Sequence, residues 1–166
     1  MIGGESEAFT ATEPIWKDIA QAGGYVLAGP SGSGHFTKMV HNAIEYGMLQ
    51  AYAEGMDLLK VAPLAGPIDL KGATSVWQQG SIIRSFIGGL VAEAIANEEL
   101  VTTSSTSIAH TGEGLWAVQE GLQQGLSQPV FTAALQVRMA SKAGLPLLGN
   151  KVISAVRYLF GGHAKN

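Results

Sequence analysis

The 166-residue chain contains no cysteine, which excludes a disulfide frame and thiolate chemistry and makes the cytoplasm the expected compartment. Charge is scarce. Only 14% of residues are charged while 46% are apolar, a balance that disordered chains do not have. The net charge is −3, so the basic excess needed for a nucleic-acid surface is missing. There are only three arginines (Arg84, Arg138 and Arg157), and an anionic ligand can be held only where a few of them gather. No apolar run is long enough to span a membrane; the most apolar stretch, SIIRSFIGGLVAEAIA, is short and carries Arg84 and Glu93. The start, MIGGESEAF, has neither the basic residues nor the apolar run of a signal peptide. Finally, no set of the 22 glycines has the i, i+2, i+5 spacing of a dinucleotide fingerprint.

What remains is one domain's length of sequence with a helical period almost throughout. A first helix is expected over residues 5–21, with Ala8, Ile15, Trp16 and Ile19 as its apolar contacts. YVLAG (25–29) reads as a short strand and GPSGSG (29–34) as the turn after it. A long helix follows from about residue 36 to 60, stopped by Pro63, Gly66 and Pro67. Further helices are expected around 72–79 and 81–97, then a polar loop TTSSTS (102–107). LWAVQEGLQQG, PVFTAALQVRMAS and KVISAVRYLF give three more. The expected fold is mostly α with one or two short strands at the N-terminal end. GPSGSG precedes a helix, where glycines can cradle an anion, but a P-loop needs Lys-Ser/Thr where His35 and Phe36 stand. A tight strand-to-helix turn explains it equally well.

The long helix carries the chemistry. Relative to Lys38, the helical period places His41, Asn42, Glu45 and Tyr46 at roughly −60°, +40°, −20° and +80°. Val40, Ala43, Ile44, Gly47 and Ala51 lie opposite. Lys38 and Glu45 are two turns apart, roughly 10 Å along the axis, so a small polar molecule fits between them better than a direct ion pair. A lysine acts as a base only when burial or neighbouring charge brings its pKa down, and a glutamate held protonated can return a proton. His41 and Asn42 could orient such a ligand. A partly buried polar network between helices would show the same pattern, and spacing alone does not choose between the two.

The block GSGHFTKMVHNAIEYGMLQAYAE (32–54) resembles the signature of decarboxylating 6-phosphogluconate dehydrogenases. VWQQGSIIRS (76–85), TGEGLWA (111–117) and RYLFGGH (157–163) are similar, in order, to three further blocks of that family. The likeness covers nearly the whole chain and suits the shorter bacterial members. It implies a helical domain with Lys38 as the base for the substrate hydroxyl and Glu45 as the acid that protonates the enediol after carbon dioxide is lost. It implies sugar-acid contacts from His41 and Asn42 and phosphate contacts from Tyr46 and Arg84. Arg157 and His163 would reach into the site of a second subunit, making a homodimer with exchanged tails. Arg138 has no role in the resemblance and reads as a surface or helix-packing arginine.

The implied activity is conversion of 6-phosphogluconate to ribulose 5-phosphate and carbon dioxide with NADP or NAD. Two departures qualify it. Residues 1–30 resemble only the last strand and helix of the family's Rossmann domain, a remnant before the helical domain at 31–166. The cofactor-binding residues are therefore unknown, hydride transfer is not expected from this chain alone, and a separate Rossmann half is an expected partner. In addition, Leu115 and Ala117 replace a basic residue and a threonine that contact substrate in the family. The alternative is a non-catalytic dimerising module that binds a sugar phosphate or a related hydroxy acid.

Overall fold

A computed structural model describes residues 1–162. His163 lies outside the described residues. The elements run β1 (Ile2–Gly3), α1 (Ser6–Ile19), β2 (Leu27–Gly29), α2 (Ser33–Lys60), α3 (Leu70–Trp77), α4 (Phe86–Ala96), α5 (Glu98–Thr103), α6 (Glu113–Gln123), α7 (Pro129–Ala140) and α8 (Leu148–Gly161). A 3₁₀ turn, Ser141–Ala143, follows α7. The fold is mostly helical, with the two short strands at the N-terminal end.

The chain divides into two compact units. Met1–Ile44 with Gly112–Ser127 forms the first, and Glu45–Thr111 with Gln128–Asn166 forms the second. Helix α2 is continuous and passes from one to the other.

In the first unit, β1 and β2 pair in parallel, with α1 as their crossover. The contacts of α1 differ from expectation. Ala8, Ile15 and Ile19 are exposed, and it is Phe9, Glu13 and Trp16 that find partners. Phe9 packs on the Tyr25 ring, the Tyr25 hydroxyl donates to Glu13 Oε1 at 3.0 Å, and Trp16 Nε1 donates to Thr12 Oγ1 at 3.0 Å. These residues recur at i, i+4 and i+7, the face that Tyr25 returns to.

In the second unit the core is built from Leu49, Ala53 and Met56 of α2, Val91 and Ala94 of α4, Leu100 and Val101 of α5, and Val152, Ile153, Ala155 and Val156 of α8. Helix α8 starts hard against α2. Its Gly149 amide donates to Asp57 Oδ1 at 2.8 Å, so a side chain of another helix caps it. A Cβ on Gly149 would stand 2.6 Å from the Ala53 carbonyl oxygen, which only glycine allows.

Two sequence expectations need correction here. The helix expected over 81–97 begins only at Phe86, because the Ser85 hydroxyl accepts from the Gly88 amide and fixes the start there. The loop expected at 102–107 is entered by α5, whose amide at Leu100 is capped by the Asn97 side chain.

Replacing Gly149 by Ala forces α2 and α8 apart and is expected to cost about 1–3 kcal/mol of stability. Asp57→Ala, which removes only the cap, is expected to cost about 1 kcal/mol. Urea unfolding of both variants against wild type checks the order.

Candidate functional site

The face of α2 that carries exposed Lys38 and half-buried Asn42 and Glu45 does not stay solvated along the helix. Two turns further on it becomes the row Leu49, Ala53 and Met56, which is core. The expected apolar side is largely the outer one. Of Val40, Ala43, Ile44, Gly47 and Ala51 only Ala43 is buried, while Ile44 is 49% exposed and Ala51 is exposed. The polar stripe is thus the N-terminal continuation of the core-facing row.

In the first unit, Lys38 Nζ lies 3.3 Å from His41 Nδ1, and the same nitrogen lies 3.0 Å from Asn42 Oδ1. One ring nitrogen cannot accept from an ammonium and donate to an amide oxygen at once. If Nδ1 carries no proton it accepts from Lys38, and Asn42 must turn its amino group inward. If Nδ1 carries the proton it donates to Asn42, and Lys38 is released. The three side chains form one hydrogen-bonded unit with two arrangements. Lys38 itself is exposed, so the burial that would make it a base does not come from this unit's own packing.

Lys38 also lines a cavity of about 430 Å³ with Gly32, His35, Phe36, Met39, Glu113 and Trp116. Glu113 and Trp116, one turn apart in α6, were not singled out by sequence reasoning. The available signal was their place in the TGEGLWA block. Leu115 beside them is half-buried and Ala117 is buried, so the two replaced positions bring no polar group to the cavity. Gly112 starts α6 with φ +115°, a left-handed conformation that favours glycine, and the Trp116 ring fills the space where its Cβ would stand.

In the second unit, Tyr46 is 4% exposed and stacks against Arg138, whose Cζ lies 3.4 Å from the ring centroid. Arg138 is 2% exposed, so it is not a surface residue, and the helix-packing alternative is the one that fits its place against Tyr46. Burial pushes its guanidinium below the ordinary arginine range. Tyr46 opposes that effect, the like charge of Arg157 adds to it, and Glu45 opposes it. Arg157 is 5% exposed on α8, enclosed by its own chain. Leu159, beyond it on the same helix, packs on this chain's own core.

Arg84 is exposed elsewhere in this unit. It lines an apolar groove of about 450 Å³ with Met48, Tyr52, Trp77, Ile82 and Ser85. The loop that carries it is pinned. The Tyr52 hydroxyl donates to the Ile83 carbonyl at 2.6 Å, and the Arg84 amide donates to the Ser81 carbonyl at 3.0 Å. The structure therefore brings Glu45, Tyr46 and Arg157 together with Arg138, joins Lys38 to His41 and Asn42, and leaves Arg84 at a separate groove. No described helix is long and apolar enough to cross a membrane.

Comparison with known proteins gives these residues a context. The family model of the 6-phosphogluconate dehydrogenase C-terminal domain matches residues 34–145. YqeC of Bacillus subtilis (strain 168), whose name assigns it provisionally to 6-phosphogluconate dehydrogenase, is 39% identical over 164 residues, 99% of this chain and 54% of that protein. The NAD(+)-dependent, decarboxylating 6-phosphogluconate dehydrogenase of Haloferax volcanii is 34% identical over 165 residues, 98% of this chain and 54% of that protein. The chain thus spans about half the length of these relatives. Among solved structures, Plasmodium falciparum 6-phosphogluconate dehydrogenase, determined apo, with NADP+ and with 6-phosphogluconate, superposes with a TM-score of 0.71 at 25% identity, over 96% of this chain and 35% of that one.

Gly112→Ala strains the left-handed start of α6 and displaces the Trp116 ring. The expected result is a loss of about 1–3 kcal/mol with a red shift in tryptophan emission. Fluorescence-monitored unfolding checks both; unchanged emission with unchanged stability would contradict the packing described for Trp116.

Proposed function

Because the chain belongs to the 6-phosphogluconate dehydrogenase C-terminal domain family, we propose that it is the substrate-binding and proton-transfer part of a decarboxylating 6-phosphogluconate dehydrogenase. The observation that carries this reading is the hydrogen-bonded unit of Lys38, His41 and Asn42, with Glu45 two turns along the same helix. Lys38 takes the proton of the substrate hydroxyl, and the two-electron acceptor that this oxidation requires would have to come with a separate nucleotide-binding half. The β-keto acid loses carbon dioxide, and Glu45 gives a proton to the carbon of the enediol that results, yielding ribulose 5-phosphate. His41 and Asn42 hold the sugar acid, and the two arrangements of the His41 proton let the imidazole follow the charge on Lys38. Tyr46, Arg157 and His163 are the phosphate contacts in this reading; Arg84, expected among them, lies in a groove apart from Tyr46 and Arg157.

The described residues do not fit a dinucleotide. Their sheet is a single parallel pair, without the glycine fingerprint and without the strand crevice in which such a cofactor lies. No step is therefore assigned to NADP or NAD here, and the test supplies a nucleotide-binding half. The βαβ unit formed by β1, α1 and β2 supports reading residues 1–30 as the end of such a half. Parallel strands normally sit in larger sheets covered on both faces, and Ile15 and Ile19 of α1 stand exposed. A homodimer fits the outer apolar side of the second unit, where Met48, Leu58, Ile82, Ile83 and Phe86 are all exposed.

A second reading rests on Leu115 and Ala117. Without the basic and hydroxyl contacts of the family pattern, the chain would be a dimerising module that binds a sugar phosphate but does not turn it over.

Thermal melts with 6-phosphogluconate, gluconate and NADP separate these readings from a domain that binds none of them. Saturating 6-phosphogluconate, at about 100 times its Kd, is expected to stabilise the chain by about 2.7 kcal/mol, and the other two by nothing. Arg157→Ala removes one charge-assisted contact and is expected to weaken binding about tenfold to a hundredfold. Mixed with the nucleotide-binding half of a relative, the wild-type chain is expected to produce ribulose 5-phosphate, and Lys38→Ala none. Binding without turnover in that mixture would favour the module. Equal turnover by Lys38→Ala would overturn the base assignment.

A further inference from the structure

Counted over one turnover, the protons of the proposed reaction do not return to their places. Oxidation of the hydroxyl leaves a proton on Lys38, while the hydrogen on the oxidised carbon leaves as hydride. Carbon dioxide departs from a carboxylate and carries no proton away. Glu45 then gives one to the carbon of the enediol. Each cycle therefore ends with Lys38 charged and Glu45 ionised, the reverse of its starting state. An ammonium cannot act as a base, so Lys38 has to be emptied before it meets a second substrate hydroxyl.

His41 stands where that proton can go. It lies three residues along the same helix and in the same compact unit, with Nδ1 at 3.3 Å from Lys38 Nζ. Imidazole is the side chain that both gains and loses a proton near neutral pH, and a lysine serving as a base at a pKa of about 7–8 is matched to it. The ring is exposed, so water reaches what Lys38 passes to it. The same nitrogen has a second partner, Asn42 Oδ1 at 3.0 Å. Asn42 does not titrate, so it cannot carry the proton itself. Its oxygen can accept from an Nδ1 that has just been loaded, and an N–H in that position no longer accepts from Lys38.

We propose, on the reading of Lys38 as base and Glu45 as acid, that His41 is the proton outlet of the base. After the hydroxyl is oxidised, one N–H bond breaks on Lys38 and one forms at His41 Nδ1. The imidazolium then releases its Nε2 proton to water, and exchange of the open ring with water returns the Nε2–H form. Glu45 takes its replacement from water. Asn42 gives the transfer its direction, because its oxygen holds the loaded Nδ1–H and frees Lys38 for the next substrate.

Nitrogen NMR of the chain alone, at mildly alkaline pH, reads the tautomer of His41. Wild type is expected in the Nε2–H form, with Nδ1 accepting from Lys38, and Lys38→Met in the Nδ1–H form, with Asn42 as the remaining partner. The same tautomer in both proteins overturns the outlet. Turnover is then measured in the mixture with the nucleotide-binding half of a relative. His41→Ala is expected to lower kcat for ribulose 5-phosphate about a hundredfold, and added imidazole to restore it in proportion to its concentration. His41→Gln, which keeps a polar contact but cannot titrate, is expected to be as slow with a KM for 6-phosphogluconate close to wild type. Undiminished kcat in both variants, or a loss that appears in KM and does not respond to imidazole, overturns the outlet and leaves Lys38 and Glu45 standing as base and acid. A wild-type mixture that forms no ribulose 5-phosphate, or one in which Lys38→Ala is as fast, overturns the reading of Lys38, and the outlet falls with it.

Discussion

The helical period of α2 is the constraint on which the rest depends. One row of this helix, Leu49, Ala53 and Met56, belongs to the hydrophobic core, and the same row continued toward the N-terminus carries Glu45, Asn42 and Lys38. A straight helix cannot rotate one half of a row without the other. Locking the apolar half into α4 and α8 therefore fixes the direction of the polar half. Gly149 and Asp57 are where that locking is tightest, since the α8 backbone touches α2 there and takes its cap from it. The precision of the polar row is borrowed from packing that takes no part in the chemistry.

The parts of this arrangement that could be read from sequence are the local ones. Lys38, His41 and Asn42 are within one turn of each other, so helical spacing alone brings them together, and the block that contains them is unbroken. The strands, the long helix and the three C-terminal helices were legible for the same reason. Short elements were not. In α5 the hydroxyls of Thr102 and Thr103 both return to the Glu99 carbonyl, so residues that usually mark a polar loop complete a helical turn instead. Which side of α2 faces inward was also misleading. Ile44 and Ala51 look like core by composition, but the apolar residues of α4 and α8 lie against the other row. Arg138 was out of reach altogether, because its place beside Tyr46 comes from the packing of α7 and has no counterpart in nearby sequence.

The charges show what kind of site this is. Lys38 stands in the open beside a cavity, its partner His41 able to carry a proton on either side of the contact. Arg138 and Arg157 are enclosed, and Glu45 is a carboxylate whose charge Arg138 feels. Exposed groups of the first kind exchange protons readily. Enclosed groups of the second kind hold a fixed field that water does not screen.

Enclosure of Arg157 has a consequence for assembly. A side chain already packed within its own subunit reaches a second one only after the last turns of α8 leave their contacts, Leu159 among them. Any exchange of this residue between subunits would then pass through local opening, a first-order event whose rate does not rise with protein concentration. If two copies of this chain share Arg157, the share would therefore grow with the age of a preparation and not with its concentration.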